Sequence, residues 1–549
     1  MLNVWRSEFF DLYNDSTDDN EHVDDSIKRR MLNDSIYLRE LVMKDPLYES
    51  DVYLNAPITI REVRDVVQKA KLRKAVGTDN IPNEVLKNET LIAILQKLFQ
   101  LIFDTGKVPS DWIKAMIKPI PKSSESDPRI PLNYRGISLL SCVGKLYTSM
   151  LNRRVSKFLN ETNRLVDEQN GFRENRSCSD HIFTLHCITK DRQSRGKSTF
   201  ITFIDFAKAF DSLDRQMMLY KMLQSGIEGD IYYTIKSRYE NTISSVLLNK
   251  KQTDWFDTKL GVRQGDTISP TLFSIFINDL ATGIKSLNRG VTWGNLDISI
   301  LMYADDIAIL SETPVDLQII LDYVSEWCEM WKMKLNMGKT KIIEFRRKGV
   351  EKSLAKFYLA GNLVEKCNSY KYLGITFDEF LEFKQNEEIL TASGQRALGA
   401  LISKFKVLND MGYETYTKCF EASVCPVIDY GSEIWGYIKS KKKDSVQHKA
   451  IRVFLGVNKF AAIPFLEGDI GWVPTIIRQK IRMLRFWNRL LKLEPSRLTK
   501  KIFLLEYEKK GSWCKEIENI LKGIHLEAYY INKSLVNLEE CQTKLIIKF

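Results

Sequence analysis

The spacing of apolar residues along this chain changes several times and predicts both helices and strands. A helix start is predicted at Thr59, because Glu62 follows three positions later as in a capping box. Apolar residues then recur at helical spacing. The other clear elements are helices over 90–104, 142–160 and 211–224, a buried strand over 199–204, and two strands joined by a polar turn over 298–310.

The two ends of the chain differ from this alternating middle. Residues 1–50 are polar, with an acidic stretch over 18–25, and predict a helix followed by a loose linker. Four prolines between 119 and 131 predict a loop between short strands. After about residue 380 the pattern is mainly helical. We therefore expect an α+β core with a helical C-terminal region.

Composition narrows the class of protein. The chain has 549 residues, which is enough for about three or four domains. It contains 81 Lys and Arg residues and 70 Asp and Glu residues, which gives a formal net charge of +11. This positive charge favours an anionic partner such as nucleic acid. Nine cysteines without a C-x-x-C pair argue against a disulfide scaffold or zinc knuckle and favour a reducing compartment. Neither a signal peptide nor a run of ~18 apolar residues is found. We expect an intracellular protein of the nucleus or cytoplasm with no membrane partner.

Two acidic side chains lie at the tip of the predicted hairpin over 298–310. Asp305 and Asp306 follow Tyr303 and Ala304, between two apolar strands. Adjacent carboxylates repel each other, so a rigid turn that holds both is costly unless a cation binds. A plain exposed turn more often uses Asn-Gly or Asp-Gly. For these four residues alone, a solvated acidic turn explains the pattern equally well.

A second acidic segment follows the predicted strand over 199–204. Asp205 ends this strand, whereas Asp211 is expected to cap the next helix. If Asp205 and Asp305 meet on neighbouring strands, they form a two-metal site, in which two Mg²⁺ ions about 4 Å apart activate a 3′-hydroxyl and stabilise the leaving pyrophosphate. Mg²⁺ suits this donor set because it prefers carboxylate oxygens and keeps water ligands.

A glycine-containing loop over 261–270 precedes a third apolar segment. Its glycines allow close approach of the backbone to a ligand, and Gln264 can hydrogen-bond a base or sugar edge. Ser269 and Pro270 predict the cap and the first residue of a helix. On its own the loop is better explained as a plain entry to that helix.

Taken together and in this order, the three segments resemble the polymerase motifs of reverse transcriptases from non-LTR (LINE-like, jockey-like) retrotransposons. The similarity extends over roughly residues 1 to 480. The segments that carry it are Lys-Ala-Phe-Asp (208–211), the loop 261–270, Tyr-Ala-Asp-Asp (303–306), KAVGTDNIPNEVLK (74–87), PIPK (119–122), NYRGISLLSCVGKLY (133–147), EQNGFRENRSCSDHI (168–182), NMGKT (336–340), YLG (372–374) and YGSEIWG (430–436).

The resemblance implies the catalytic and metal-binding residues. Asp205 and Asp305 would be the principal ligands of two Mg²⁺ ions, or of Mn²⁺ in their place. Asp306 would be the supporting acid, and the carbonyl of Phe206 a further metal contact. Lys339 would protonate the departing pyrophosphate as a general acid, although a phosphate-binding or solvated lysine explains it equally well.

The resemblance also implies the partners: an RNA template, a DNA primer or target DNA, and deoxynucleoside triphosphates. Phe210 is similar to an aromatic steric gate that rejects a 2′-hydroxyl, although on its own a core aromatic is the better explanation. Lys122 and Arg135 would clamp the triphosphate, although each on its own is better explained as a surface charge. The implied nucleotide-binding residues are Lys122, Arg135, Phe206, Ala209, Phe210, Gln264 and Gly265, and the implied primer-binding residues are Tyr372, Leu373 and Gly374, which a buried hairpin would equally use.

The implied architecture is a right-hand polymerase. We expect a linker over 1–55, fingers over 56–198, a palm over 199–378, a helical thumb over 379–470 and a helical region of unknown role over 471–549. The basic runs 346–348 and 439–443 are candidates for phosphate contacts, with a solvated face as the alternative. Three tryptophans are expected to pack in the core rather than to stack on bases: Trp435, Trp472 and Trp487.

Family members usually carry a nuclease, which we do not find here. The start WRSEFFDLYND is similar to the linker that follows one type of family nuclease, and the Cys–His cluster of the other type is missing. We therefore expect a polymerase that lacks the endonuclease. Two alternatives stay open: a group II intron-type reverse transcriptase that assists splicing, and a catalytically silent RNA-binding remnant.

Overall fold

A computed structural model describes residues 2–14, 23–45, 48–122, 127–408 and 411–548. The chain divides into two compact units, each assembled from three stretches of sequence. Unit 1 comprises Met1–Glu174, Asp205–Gly283 and Tyr323–Asn336, and unit 2 comprises Asn175–Ile204, Ile284–Asp322 and Met337–Phe549.

Helices occur throughout the chain and predominate after residue 384. In chain order, the α-helices of the described residues are α1 Leu2–Asn14, α2 Val23–Met43, α3 Ile60–Lys69, α4 Asn83–Leu86, α5 Glu89–Thr105, α6 Cys142–Glu161, α7 Cys178–Ser194, α8 Ala209–Ser212, α9 Arg215–Gln224, α10 Asp230–Tyr239, α11 Ser269–Ser286, α12 Pro314–Trp331, α13 Lys384–Leu408, α14 Tyr413–Ser423, α15 Cys425–Ile428, α16 Ser432–Trp435, α17 Lys441–Leu455, α18 Ile463–Ile470, α19 Thr475–Lys492, α20 Leu498–Glu508, α21 Ser512–Lys522, α22 Glu527–Ile531 and α23 Leu538–Lys548.

The strands fall between the N-terminal and C-terminal helices, so the predicted α+β class is confirmed. In chain order they are β1 Lys114–Pro121, β2 Tyr134–Leu139, β3 Thr199–Ile204, β4 Ile243–Leu248, β5 Lys251–Gln252, β6 Phe256–Asp257, β7 Val291–Trp293, β8 Leu296–Ile298, β9 Ile300–Tyr303, β10 Asp306–Ser311, β11 Lys341–Phe345, β12 Tyr358–Leu359, β13 Asn362–Leu363, β14 Glu365–Lys366, β15 Ser369–Tyr372 and β16 Ile375–Asp378.

Unit 1 contains a mixed sheet in the order β2-β1-β4-β5, with β6 paired to β4. The prediction that prolines 119 and 121 lie in a loop is wrong, because both belong to β1. They are tolerated there because the pairing of β1 with β4 ends at Ile117, so no partner strand on that side needs their missing N–H groups. Helix α1 packs on this sheet through Trp5, Phe9 and Tyr13.

Unit 2 contains a five-stranded sheet in the order β14-β11-β3-β10-β9. All six side chains of β3 are buried, as its apolar composition predicts. Antiparallel pairing joins β3 to β10, with Ile204 opposite Ile307, and β10 to β9, with Tyr303 opposite Asp306. The predicted pair of strands over 298–310 and its polar turn are therefore confirmed.

The C-terminal helices share one hydrophobic core with the sheet of unit 2. This core joins Phe203 of β3 and Leu310 of β10 to Trp487 of α19 and Trp513 of α21. The ring of Trp513 lies 5.1 Å from that of Phe183 in α7, and its indole nitrogen donates to the carbonyl of Glu433 at 2.9 Å. Residues after 471 therefore cover the strands directly.

Several other predictions can now be compared with the structure. The capping box of α3, the helices α5 and α6, and the core positions of the three tryptophans are confirmed. The helix over 211–224 is instead split into α8 and α9. The loose linker after the first helix is wrong over Val23–Met43, which form α2, while residues 18, 19 and 21 lie outside the described residues.

The basic run 439–443 is not a uniformly exposed surface. Lys443 is buried and its ammonium lies 3.2 Å from the ring centroid of Trp435, and burial lowers the pKa of this lysine to about 8. Lys442 pairs with Glu388 at 2.6 Å. Lys443 is thus excluded as a phosphate contact. None of the helices in the described part of the chain combines the length and apolar character that a bilayer crossing requires.

Trp513→Ala tests whether the C-terminal helices stabilise unit 2. The fully buried indole would leave a cavity, so we expect the free energy of unfolding to fall by about 3–5 kcal/mol. Chemical denaturation followed by circular dichroism measures this loss. Trp255→Ala is the control, because that side chain is 37% exposed. Equal losses in the two variants would contradict a shared core.

Candidate functional site

Asp205 is the first residue after β3 and belongs to unit 1. Its side chain is half-buried, and one carboxylate oxygen accepts a hydrogen bond from the side-chain amide of Asn336 at 2.9 Å. The backbone N–H of Asn336 also donates to the carbonyl of Asp205, at 2.8 Å. Asn336 therefore fixes both the backbone and the carboxylate of Asp205. Asn336 lies in the segment 336–340, which resembles the retrotransposon family, but the sequence alone predicts no role for it.

Asp305 and Asp306 lie at the tip of the β9–β10 hairpin in unit 2. Ala304 and Asp305 form its two-residue loop, and Ala304 has a left-handed φ of 58°. A side chain in that conformation costs about 1–2 kcal/mol, which the buried strands on either side must sustain. Asp305 is half-buried and Asp306 is exposed. The hairpin thus holds two adjacent carboxylates on a strained, rigid turn.

Phe210 is fixed between two other rings of unit 1. It stacks on Phe273, with ring centroids 4.6 Å apart, and meets the edge of Phe172 at 6.2 Å. Its side chain is half-buried, whereas Phe206 and Ala209 are buried. Phe210 is therefore held in one orientation and keeps part of its surface accessible.

The prediction that Asp211 caps a helix is wrong. The cap of α9 is Asp214, whose carboxylate accepts from the N–H groups of Gln216 and Met217 at 2.9 and 3.1 Å. Asp211 lies within α8 and instead accepts from the side-chain amide of Gln264, at 2.7 Å, and from the hydroxyl of Tyr13, at 3.4 Å.

The loop that carries Gln264 and Gly265 is held from both ends. Arg263 is buried and donates to the carbonyls of Trp112, at 2.7 Å, and Ile113. Asp266 is buried and pairs with Arg238 at 2.8 Å. Burial alone would raise the pKa of Asp266, but the guanidinium of Arg238, together with the Thr148 hydroxyl and Arg263, holds that pKa below its usual value.

Backbone contacts set the course of the same loop. The N–H groups of Gly261 and Val262 donate to the carbonyls of Leu213 and Phe210, at 2.7 and 2.8 Å. The carbonyl of Gln264 accepts from Ser138 in β2 at 2.7 Å. Gly265 has a φ of 113°, and the loop leads into α11, which begins at Ser269, one residue earlier than predicted.

Lys122 and Arg135 belong to the β1–β2 hairpin of unit 1. Lys122 follows β1, and its ammonium donates to the carbonyl of Leu132 at 2.8 Å. Arg135 lies in β2, opposite Ile120 of β1. Both side chains are exposed, on the hairpin that also contacts the backbone of Gln264 through Ser138.

The remaining predicted residues lie in unit 2. Tyr372 is buried in the core of the unit, and Leu373 and Gly374 form the turn between β15 and β16. A Cβ atom on Gly374 would lie 2.6 Å from the ring of Tyr430, so this turn requires glycine. Lys339 is exposed in a turn that precedes β11.

The predicted nucleotide-binding residues and Asp205 therefore belong to unit 1, and the remaining predicted acids, Lys339 and the primer-binding turn belong to unit 2. The chain passes from unit 2 to unit 1 between Ile204 and Asp205. Among the described residues, no group of three or more His, Cys, Asp or Glu side chains is arranged to hold a metal ion.

Residues 120–377 match a family model described as reverse transcriptase (RNA-dependent DNA polymerase). This segment is a reverse transcriptase domain. The match includes both acidic motifs and the Gln264 loop, and it confirms the resemblance inferred from the motifs.

Curated relatives include polymerases of mobile elements from Drosophila melanogaster. The RNA-directed DNA polymerase from mobile element jockey is 24% identical over 469 residues, which cover 83% of this chain and 50% of the relative. The probable RNA-directed DNA polymerase from transposon BS is 27% identical over 403 residues, which cover 71% of this chain and 43% of the relative. This chain spans about half the length of the curated relatives it matches.

Solved structures similar to the chain include apo telomerase from Candida tropicalis. The two are 12% identical with a TM-score of 0.38, and the alignment covers 86% of each chain.

Asp266→Ala tests the anchoring of the Gln264 loop. The change would leave the buried guanidinium of Arg238 without its counter-charge, so we expect the free energy of unfolding to fall by about 3–5 kcal/mol. Chemical denaturation measures this loss. The exposed Asp254→Ala is the control, and the double change Arg238→Met with Asp266→Leu should recover much of the stability. A loss no larger than that of Asp254→Ala would refute the anchoring role.

Proposed function

We propose that this chain is an RNA-directed DNA polymerase of a non-LTR retrotransposon, which extends a DNA primer on an RNA template. The observation that carries the proposal is the arrangement of acidic residues within the reverse transcriptase domain. Ile204 and Ile307 are paired across β3 and β10. Asp205 is the next residue after Ile204, and Asp305 and Asp306 immediately precede Ile307. Both acidic segments therefore continue from paired positions of one buried sheet.

The residues present fit divalent metal ions, which reverse transcriptases generally use. The carboxylates of Asp205 and Asp305, supported by Asp306 and the carbonyl of Phe206, are hard oxygen donors of the kind Mg²⁺ prefers. Two carboxylates, a carbonyl, water and substrate phosphates suffice for such a site, so three clustered acids are not required. Two bound Mg²⁺ ions would activate the 3′-hydroxyl and stabilise the leaving pyrophosphate, and Mn²⁺ has compatible chemistry.

Other residues would bind and select the nucleotide. Phe210, held by Phe273 and Phe172, would meet a 2′-hydroxyl with a ring that has little room to move. Gln264 and Gly265 would contact the nucleotide and template from a loop anchored at both ends. The exposed Lys122 and Arg135 would contact the phosphates.

Two assignments in unit 2 complete the proposal. Tyr372, Leu373 and Gly374 would hold the primer terminus through their tight turn. Lys339 would act as a general acid on the pyrophosphate or bind phosphate. Lys339→Ala distinguishes these roles, because loss of a general acid slows nucleotide addition in a single turnover far more than it weakens template binding.

Asp305→Asn tests the polymerase proposal. The assay is extension of a DNA primer on a poly(A)-tailed RNA template with Mg²⁺ and deoxynucleotides. We expect the unaltered chain to extend the primer and Asp305→Asn to lose at least about a thousandfold in rate, because the amide cannot replace a charged metal ligand. Asp254→Asn, an exposed acid of unit 1, should keep full activity.

Measurements of RNA binding and of splicing, made beside this assay, distinguish the alternatives. RNA binding that needs neither Mg²⁺ nor Asp305, without any extension, would indicate a silent RNA-binding remnant. Stimulation of splicing of a cognate intron would indicate a group II intron-type protein. Extension that survives Asp305→Asn would refute the two-metal assignment.

Phe210→Val tests the steric gate. A smaller side chain would leave room for a 2′-hydroxyl, so we expect ribonucleotide incorporation relative to deoxynucleotide incorporation to rise at least about tenfold. Single-nucleotide extension with each substrate measures this ratio. Phe172→Val is the control, since it removes a ring that supports Phe210 but leaves Phe210 itself. An unchanged ratio in Phe210→Val would show that this ring is only a packing residue.

A further inference from the structure

We propose that Asp211 is a positioning residue for nucleotide binding, which orients the side chain of Gln264 and is itself contacted by Tyr13 of the N-terminal helix α1. The inference rests on the proposed polymerase function and deepens it. It assigns a role in binding the deoxynucleoside triphosphate to Asp211 and to a helix outside the matched domain.

The contact between Asp211 and Gln264 determines which end of the amide faces a ligand. The amide nitrogen of Gln264 donates to a carboxylate oxygen of Asp211 at 2.7 Å. A side-chain amide has donors on one end and an acceptor on the other. With its nitrogen held by a carboxylate, Gln264 presents its oxygen on the opposite side. Asp211 thereby selects one of two amide orientations that differ in the groups they accept.

The backbone around Asp211 and Gln264 fixes the separation between these two residues. Gly261 has a φ of 77°, and a Cβ atom there would lie 2.5 Å from the carbonyl oxygen of Asp211. The carbonyl of Phe210 accepts from Val262 at 2.8 Å. The loop of Gln264 thus runs directly along the segment of Phe210 and Asp211. A fixed separation between the two backbones is what a positioning hydrogen bond requires.

Helix α1 closes the other side of Asp211. Trp5, Phe9 and Tyr13 form one buried face of the helix on the sheet of unit 1. A Cβ atom on Gly136 of β2 would lie 2.7 Å from the ring of Phe9 and 3.1 Å from the hydroxyl of Tyr13. Glycine at 136 therefore lets α1 approach closely enough for Tyr13 to reach Asp211.

Backbone contacts also hold α1 against the start of the Gln264 loop. The carbonyl of Tyr13 accepts from the N–H groups of Lys259 and Leu260, at 3.1 and 2.9 Å. Burial, with a smaller contribution from Asp211, raises the pKa of Tyr13 well above its usual value, so its hydroxyl stays a donor. The side chain of Tyr13 thus contacts Asp211, and its backbone contacts the two residues that precede the Gln264 loop.

Ionisation of Asp211 does not stabilise the folded chain. Burial raises its pKa to about 6, although Gln264, Lys122, Tyr13 and Lys208 all favour the ionised form. A carboxyl whose pKa is higher in the folded chain than in the unfolded chain makes folding less favourable as pH rises from about 4 to about 6. A carboxyl group kept only for stability would instead have a lowered pKa, so that folding would become more favourable as pH rises. The ionised acid is instead the stronger acceptor for the Gln264 amide.

The experiment measures KM and kcat for a deoxynucleotide in primer extension between pH 5.5 and 8. Asp211→Leu removes the acceptor but keeps a similar size, so we expect KM to rise about tenfold with kcat changed less than twofold. Asp211→Asn keeps an oxygen acceptor and should show about a threefold rise. In the unaltered chain, KM should rise as pH falls through about 6, and this dependence should be absent from Asp211→Asn.

Three further measurements make the result specific. Asp214→Ala is the matched control, because it loses only a helix cap: its melting temperature should fall while KM and its pH profile stay unchanged. The triphosphate titrates equally in every variant, so the difference between profiles is the readout. Tyr13→Phe should raise KM about twofold. Asp211→Asn should keep or raise the melting temperature.

The outcomes separate this inference from the proposed function. Primer extension by the unaltered chain together with an unchanged KM and pH profile in Asp211→Leu would overturn the positioning role alone. A fall in kcat that follows a fall in melting temperature would also overturn it, in favour of a structural role. A folded chain that extends no primer would overturn both.

Discussion

Strand β3 imposes the main constraint on unit 2, because all six of its side chains are buried. A strand buried on both faces needs a covering layer on each side. Ile201 and Phe203 project into the core that also contains Trp487 and Trp513 of the C-terminal helices. The helices after residue 471 therefore help to exclude solvent from β3. The position of Asp205, the next residue, depends on that strand.

Two carboxylates of unit 1 illustrate how the same fold assigns different tasks to one side-chain type. Asp266 is buried opposite Arg238, and its pKa is lowered, so its charge is compensated within the protein and its task is to hold a loop. Asp211, which directly follows Phe210, accepts hydrogen bonds from an amide and a hydroxyl, and burial raises its pKa to about 6. Buried carboxyl groups with a raised pKa are common at functional sites.

Much of the local structure was predictable because its causes are local. The apolar run of β3, the capping box of Thr59 and the polar turn at Ala304 and Asp305 each depend on a few neighbouring residues. The motifs also identified the reverse transcriptase domain. Contacts between distant residues were not predictable from spacing: Asn336 on Asp205 joins positions 131 residues apart, and Tyr13 on Asp211 joins positions 198 apart. The prolines of β1 were misjudged because their tolerance depends on where the neighbouring strand stops pairing.

The residues proposed to select the nucleotide are held rigidly within unit 1. Phe210 is held between two rings, and the loop of Gln264 is fixed by Arg263 and by backbone bonds, so the geometry that would select a nucleotide is determined before binding. Asp306, by contrast, is exposed at the tip of a strained turn. Groups that are fixed before binding can orient a charged substrate without a further cost of reorganisation.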